Sequence, residues 1–368
     1  MSLAVLLIAS AGCTGSTPAG TWWKGNTHTH SLWSDGDAAP EEVAEWYRSH
    51  GYNFLVISDH NTLQEGERFR GDPPVRLRTH EELQDRFNNP GSFLLIEGEE
   101  LTDSFDGHPV HMNVINPGRT IPAQGGNTLP ETIGQNHDAA RQALTQSGRP
   151  GFIHYNHPNF GWGLTWEHLA AIEGIGFFEV FNGHPSVRNY GDDDHPGTEE
   201  MWDLALSLRL MSGSPASGLL YGIATDDAHS FLQFGPAKAN PGRAWVMVRA
   251  EELSERALID AYLRGDFYGS TGVILADIET TANRMIIRIE AEEGIEYTTR
   301  FIGTGQDPDG TIKPGEVLYE TTRNPASYRF SGDELYVRAK VISSKPHPNP
   351  YAAGDVECAW IQPVRPGG

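Results

Sequence analysis

Short apolar runs alternate with amphipathic stretches over most of this chain. Between Trp22 and about Gly272 the runs Trp23–His28, Phe54–Ile57, Phe93–Ile96, His111–Ile115, Gly151–Tyr155, Phe177–Phe181, Leu220–Thr225 and Ala244–Val248 have the length and composition of buried strands. Helix signals lie between several of them. Pro40-Glu41-Glu42 puts proline and two acids in a first turn, and Thr79 with Glu82 forms a capping box. Leu129–Gln146, Thr165–Ile172, Thr198–Leu210 and Ser254–Arg264 complete the set. Strand and helix in alternation predict an α/β fold with a mostly parallel sheet, and seven or eight such units would close a barrel of roughly 250 residues.

After about Leu275 the helices stop. Met285–Ala291, Tyr297–Ile302, Ser327–Phe330, Leu335–Ile342 and Glu357–Gln362 read as strands, with Leu335, Val337, Ala339 and Val341 alternating with Tyr336, Arg338 and Lys340. This pattern predicts three parts: an N-terminal signal and linker over 1–21, a βα barrel over 22–273, and a small antiparallel β-sandwich over 274–368.

The first part carries its own signal. An apolar run from Leu3 to Ala9, too short to span a bilayer, is followed by small residues, Cys13 and a Thr/Gly/Ser/Pro linker. It resembles a bacterial lipoprotein signal, which implies export and a lipid anchor at Cys13 as the membrane contact. Cys358 is the other cysteine, so neither a disulfide framework nor a thiolate zinc site is expected. The formal net charge of −22 argues against a nucleic-acid partner, which would need a basic surface. A metal here must be held by imidazole and carboxylate.

Those groups collect at strand ends, where a βα barrel places its working residues. The first strand leads into His28, His30, Ser31 and Asp35; the second into Asp59-His60; the third into Glu97-Gly98-Glu99-Glu100. The fifth gives His154 and His157, the sixth Glu179, Asn182 and His184, and the seventh Asp226, Asp227 and His229. His28 and His30 lie two residues apart, as do Asp227 and His229, so in extended backbone each pair shares a face. Histidine with carboxylate and no thiolate suits Zn, Mn or Fe(II). Asp35, Glu100 and Asp227 would offset the charge of several divalent ions.

The ordered segments THTHSLWSDG, ISDHNT, IEGEELT, HPVHMNV, YNHPN and TDDAHS resemble the motifs of the PHP (polymerase and histidinol phosphatase) superfamily. The resemblance implies a distorted TIM-like (β/α)7 barrel holding two or three metal ions. By position it implies His28, His30, Asp35, His60, Glu100, His111, His157, Asp227 and His229 as ligands, with Glu100 bridging. Glu99, Asp226 and His108 compete with Glu100, Asp227 and His111. FYGSTGV and the β-rich tail ending in YVRAKVISS and AWIQPV resemble the secreted, carbaryl-hydrolase-like branch.

The expected function is metal-dependent hydrolysis of a small-molecule substrate by metal-bound hydroxide, with a phosphoester favoured and a carbamate, ester or amide as the alternative. A non-catalytic surface-binding lipoprotein is the rival class. Asp59 and His184 are candidate proton shuttles. Arg188 and Arg243 are candidate phosphate-binding cations. Trp33, Trp162 and Trp166 lie near the motifs and would suit an uncharged substrate.

Overall fold

The computed structural model describes residues 20–212, 217–305 and 312–367; Cys13 lies outside them. The chain enters through β1 (Thr21–Asn26) and turns into α1 (Pro40–Ser49), where the Glu42 carboxylate accepts the Ala39 N–H at 2.9 Å. β2 (Phe54–Val56), the small hairpin β3 (Phe69–Arg70) and β4 (Val75–Arg76), and α2 (His80–Phe87) follow. At α2 the expected capping box forms: Thr79 Oγ1 accepts the Glu82 N–H at 3.3 Å, and the Glu82 carboxylate accepts the Thr79 N–H at 2.9 Å.

β5 (Leu94–Ile96) gives way to a long hairpin, β6 (Gly98–Phe105) and β7 (His108–Ile115). It turns at Asp106-Gly107, with φ of 48° and 81°, the two positive values that a tight primed turn requires. Next come α3 (Leu129–Ser147), ended by Gly148 at φ 64°, β8 (Phe152–Tyr155), a 3₁₀ turn at Phe160–Trp162, α4 (Trp166–Ala170), β9 (Gly174–Asn182), α5 (Thr198–Met211) and β10 (Ser217–Thr225). β11 (Trp245–Ala250), α6 (Glu255–Arg264) and β12 (Phe267–Ser270) complete this part. Ser254 caps α6 by accepting the Ala257 N–H at 3.2 Å.

The remaining strands are β13 (Leu275–Thr281), β14 (Arg284–Ile289), β15 (Tyr297–Gly305), β16 (Glu316–Thr321), β17 (Ala326–Arg329), β18 (Glu334–Pro346) and β19 (Val356–Val364). No helix among the described residues is long and apolar enough to cross a membrane.

The fold is mixed α/β, but the strands do not form one closed, mostly parallel cylinder. They form two principal sheets, ordered β16-β15-β18-β19-β12-β11-β1-β2-β5 and β10-β9-β8-β7-β6, with β13-β14-β17 as a third. Between β5 and β6 the chain passes through Glu97 from the first sheet to the second. On the other side a parallel bridge, Thr29 to Ala228, ties the two together, and Gln362 on β19 accepts the Gly222 N–H of β10 at 2.9 Å and donates to its carbonyl at 2.7 Å. The sheets nonetheless share a core: Phe54, Val56, Ile96 and Val246 from one pack with Ile115, Phe152, Phe177 and Ile223 from the other. β6–β7 and β7–β8 are antiparallel, whereas β8–β9–β10 and β1–β2–β5 are parallel.

Of the strands expected to form a separate sandwich, β15, β16, β18 and β19 join the first sheet, whereas β13, β14 and β17 form the third. β19 pairs with β12 through Tyr268–Ile361 and Gly269–Trp360, so hydrogen bonding runs across the expected boundary at 273/274. Arg338 on β18 reinforces this junction with a two-pronged contact to Asp203 on α5, at 2.7 and 2.6 Å, both side chains being buried.

Candidate metal centre

β1 ends at Asn26, and His28 and His30 follow on the extended segment that bridges to Ala228. Thr29 points the other way, its hydroxyl donating to the Ala228 carbonyl at 3.2 Å. His60 follows β2 and bridges to Glu100 on β6. His111 is the fourth residue of β7, which starts three residues earlier than its apolar pattern indicates. Because β7 runs against β8, its early residues lie toward the late end of that strand. His157 follows β8, and Asp227 and His229 follow β10.

These side chains and Asp35 converge. Their donor atoms fall into overlapping groups: His28, His30 and Asp227; His28, Glu100 and His157; His60, Glu100 and His111; His30, Asp35, His60 and His229. His28 Nε2 and His30 Nε2 are 3.1 Å apart, and each lies 3.3 Å from Glu100 Oε2 and 3.2 Å from Asp227 Oδ1. Donors about 2.0–2.2 Å from one tetrahedral ion lie roughly 3.3–3.6 Å from each other, and the His28, His30 and Asp227 donors, 3.1–3.2 Å apart, come close to that spacing. Glu100 Oε2 and Asp227 Oδ1 are buried and make no hydrogen bond. A buried carboxylate oxygen without a donor is costly, and a cation among these atoms removes that cost.

Glu100 is the centre of the cluster. Its Oε2 is also 3.0 Å from His60 Nδ1, while Oε1 is 3.0 Å from His111 Nδ1 and 3.3 Å from His157 Nε2 and accepts from Asn156 Nδ2 at 2.8 Å. One carboxylate therefore faces two of the donor groups, as a bridging ligand must. Asp35 is half exposed and reaches His229 Nε2 at 3.4 Å, with His30 Nδ1 and His60 Nε2 each at 3.6 Å.

The charges are strongly coupled. Burial alone would raise Glu100 and Asp227, but His28, His60 and His111 hold the first well below the ordinary carboxylate range, and His28 with His30 does the same for the second. Burial would lower His28, yet Asp227, Glu179 and Glu100 keep it well above the usual imidazole value. The carboxylates thus demand positive charge at this point, from protons or from a metal.

Glu179 supports the centre from beneath. Its Oε1 lies 2.6 Å from His28 Nδ1 and accepts from Thr225 Oγ1 at 2.8 Å; its Oε2 accepts from the His157 N–H and from Asn182 Nδ2, both at 2.8 Å. A carboxylate on the far nitrogen of a ligating histidine fixes its tautomer and direction. The loop backbone is strained here: His157 has φ 23° and Asp227 φ 48°. Non-glycine residues in that region persist only where neighbours hold them, and such strain concentrates at functional sites. The Asp227 N–H bonds to His28 O at 3.0 Å, tying that strained residue to the first histidine.

The competing residues point away. Glu99 Oε1 accepts the Ile121 N–H at 2.7 Å; Asp226 accepts from Tyr47 Oη and from the N–H groups of Gly242, Arg243 and Ala244; exposed His108 meets the Trp162 carbonyl. Three other expectations need correction. Asp59 is no proton shuttle: its carboxylate accepts from Ser31 and Ser34, through N–H and hydroxyl of each, and from Gln64 Nε2, so it anchors the 31–34 loop with no lone pair to spare. Arg243 is buried, donating to the carbonyls of Gly183 and Gly235 and reaching Asn349. Arg188 lies over the Trp162 ring, 4.6 Å from its centre. Neither arginine lines the cavity above the donors, a space of about 200 Å³ walled by Asp35, His60, Glu100, His111, His157, Asp227, His229 and two further residues, Phe160 and His184. Sequence reasoning missed Phe160, whose placement depends on the 3₁₀ turn, and the supporting roles of Asn156, Asn182 and Thr225.

No family model matches this chain, and neither does any curated protein. Nine chains of solved structures do. One is a two-domain protein of Bacteroides vulgatus ATCC 8482 containing a predicted PHP-like metal-dependent phosphoesterase, with 17% identity and a TM-score of 0.47 over 96% of this chain and 99% of that one. Another is a candidate metal-dependent phosphoesterase of Bifidobacterium adolescentis ATCC 15703, with 15% identity and a TM-score of 0.34 over 68% of this chain and 98% of that one. A third is an amidohydrolase of Chromobacterium violaceum with bound sulfate and no metal, with 17% identity and a TM-score of 0.31 over 56% of this chain and 88% of that one. Likenesses of this size leave the chemistry to be read from the site itself.

Proposed function

We propose that this protein is a metal-dependent hydrolase, with a phosphoester as its substrate. The observation that carries the reading is the close approach of His28 Nε2 and His30 Nε2 to each other and to both Glu100 Oε2 and Asp227 Oδ1, at 3.1–3.3 Å, with both carboxylate oxygens buried and lacking a hydrogen-bond donor. His60, His111, His157, His229 and Asp35 would extend the donor set to two or three ions of Zn, Mn or Fe(II), and Glu100 belongs to two of the groups. Such ions lower the pKa of a coordinated water toward neutrality and polarise the scissile oxygen. Glu179 orients His28, Asn182 steadies Asp227 at 3.1 Å, and the small cavity limits the solvent that reaches these groups.

One observation favours a second substrate class. Among the described residues no lysine or arginine lines the cavity, and Phe160 forms part of its wall. An uncharged carbamate, ester or amide would sit there without a cationic partner from the protein. Export and a lipid anchor at Cys13 belong to the same reading and rest on the N-terminal residues alone. The test is hydrolysis by the metal-loaded chain of p-nitrophenyl phosphate, bis-p-nitrophenyl phosphate and an aryl carbamate. Turnover of either phosphate ester above the carbamate supports the first reading, and carbamate preference selects the second. Inertness toward all of them removes the hydrolase assignment and leaves the binding-protein class.

A further inference from the structure

Of the nine side chains that line the cavity, seven belong to the metal-donor groups, and only Phe160 and His184 do not. Contacts to a substrate from the protein itself must come largely from these two, whose rings stand 6.5 Å apart and nearly perpendicular at 80°. Phe160 offers an apolar face. Among the described residues His184 is the one polar side chain of the cavity outside the donor groups.

The local backbone fixes how His184 presents itself. Its Nδ1 accepts the Ser186 N–H at 3.1 Å, so the ring carries its proton on Nε2, the edge left without a hydrogen-bond partner among the described residues. The loop is held on three sides. The His184 N–H donates to Asn182 Oδ1 at 2.8 Å, the Gly183 N–H to the Thr225 carbonyl at 2.9 Å, and Arg243 Nη1 to the Gly183 carbonyl at 2.7 Å. Asn182 also donates to Asp227 Oδ2, so one side chain positions both a metal donor and the His184 loop. The His184 ring meets that of His229 edge-on at 5.2 Å.

We propose that His184 is a substrate-binding residue whose Nε2–H donates a hydrogen bond to an oxygen of the scissile group and fixes its orientation over the metal donors. This rests on the hydrolase reading above for the identity of that group. It replaces the expected proton-shuttle role, because Nδ1 cannot take up a second proton without giving up the Ser186 N–H. The buried Arg243 then acts through the loop as a positioning residue.

His184→Ala and His184→Gln separate the roles, since the glutamine amide can restore a donor near Nε2 but cannot carry a proton between groups. In the metal-loaded chain, His184→Ala should lower kcat/KM by about 10²-fold, with the same loss for p-nitrophenyl and phenyl phosphate, and His184→Gln should recover most of it. Metal content should stay at the wild-type value. Calorimetry with inorganic phosphate gives a readout independent of turnover: affinity should fall about tenfold in His184→Ala and return in His184→Gln. If glutamine is as poor as alanine and the loss grows with the leaving group's pKa, His184 is a proton donor and the proposal is wrong. If His184→Ala leaves both phosphate affinity and kcat/KM unchanged, or if it releases metal, the proposal also fails. A wild-type chain that turns over no ester but shows the expected phosphate series would overturn the hydrolase reading and leave the oxygen-binding role of His184 standing.

Discussion

Replacing Glu179 by glutamine tests the support beneath the metal centre. The wild-type carboxylate serves four polar partners, two on each oxygen: His28 Nδ1 at 2.6 Å and Thr225 Oγ1 at 2.8 Å on one, the His157 N–H and Asn182 Nδ2 at 2.8 Å on the other. Glutamine keeps the shape but has only one accepting oxygen. Its amide group must face either His28 and Thr225 or His157 and Asn182, and in both cases it sets donors against donors. The side chain is buried, so water cannot substitute. His28 loses either its acceptor or its alignment, and His157 is the alternative loser. Removing an outer partner of a ligating histidine typically weakens metal affinity about 10–100-fold, equivalent to roughly 1.4–2.7 kcal/mol. The assay is competition between the metal-free protein and a chromogenic chelator, with circular dichroism to show that the variant is folded. Thr225→Val, which removes one neutral donor and leaves the charge, should have a smaller effect. A folded Glu179→Gln variant with wild-type metal affinity would refute the idea that this carboxylate orients the centre.

Two further predictions concern stability. Burial pushes Glu99 up to about 8, against 4.5 for the free side chain, so the folded protein keeps a proton there that the unfolded chain releases. The contribution of this group is greatest below pH 4.5, declines as pH rises toward 8 and is level above it, by an amount on the order of a few kcal/mol; Glu99→Gln should flatten this part of the pH dependence in urea unfolding, and an unchanged slope would contradict the assignment. Arg338→Ala leaves Asp203 buried with Tyr336 Oη as its remaining side-chain donor, so unfolding free energy should drop by about 3–5 kcal/mol, and a drop below about 1 kcal/mol would show that the pair is not the clamp between α5 and β18 described here.

Much of the site was legible because alternation in extended backbone is a strict geometric rule. It pairs His28 with His30 and sets Glu99 on the face opposite Glu100, whereas Asp227 reaches the cluster from a left-handed conformation, φ 48°, that alternation does not describe. The same rule applied to Asp59-His60 would have turned Asp59 away from the cavity once His60 was placed in it. His111 looked misplaced because direction within a sheet is not written in periodicity; only the antiparallel pairing of β7 with β8 brings an early strand residue toward the late end of that neighbour. The Asp106-Gly107 turn was the available clue. The helix starts at Thr79 and Ser254 were readable because capping is local. The merging of β19 with β12, and the break between the two sheets at Glu97, depend on partners distant in sequence and left no local mark. Arg243 and Arg188 were judged by proximity in sequence to the motifs, which says nothing of burial or of the carbonyls and ring that engage them.

The most direct test of the central claim is the metal content of the purified chain, measured by elemental mass spectrometry after reconstitution with Zn, Mn or Fe(II), beside a Glu100→Ala variant shown to be folded. The donor groups predict at least two ions in the wild type and a loss of at least one in Glu100→Ala, because that carboxylate serves more than one group. Less than one ion in the reconstituted wild type, or full occupancy without Glu100, would contradict the account.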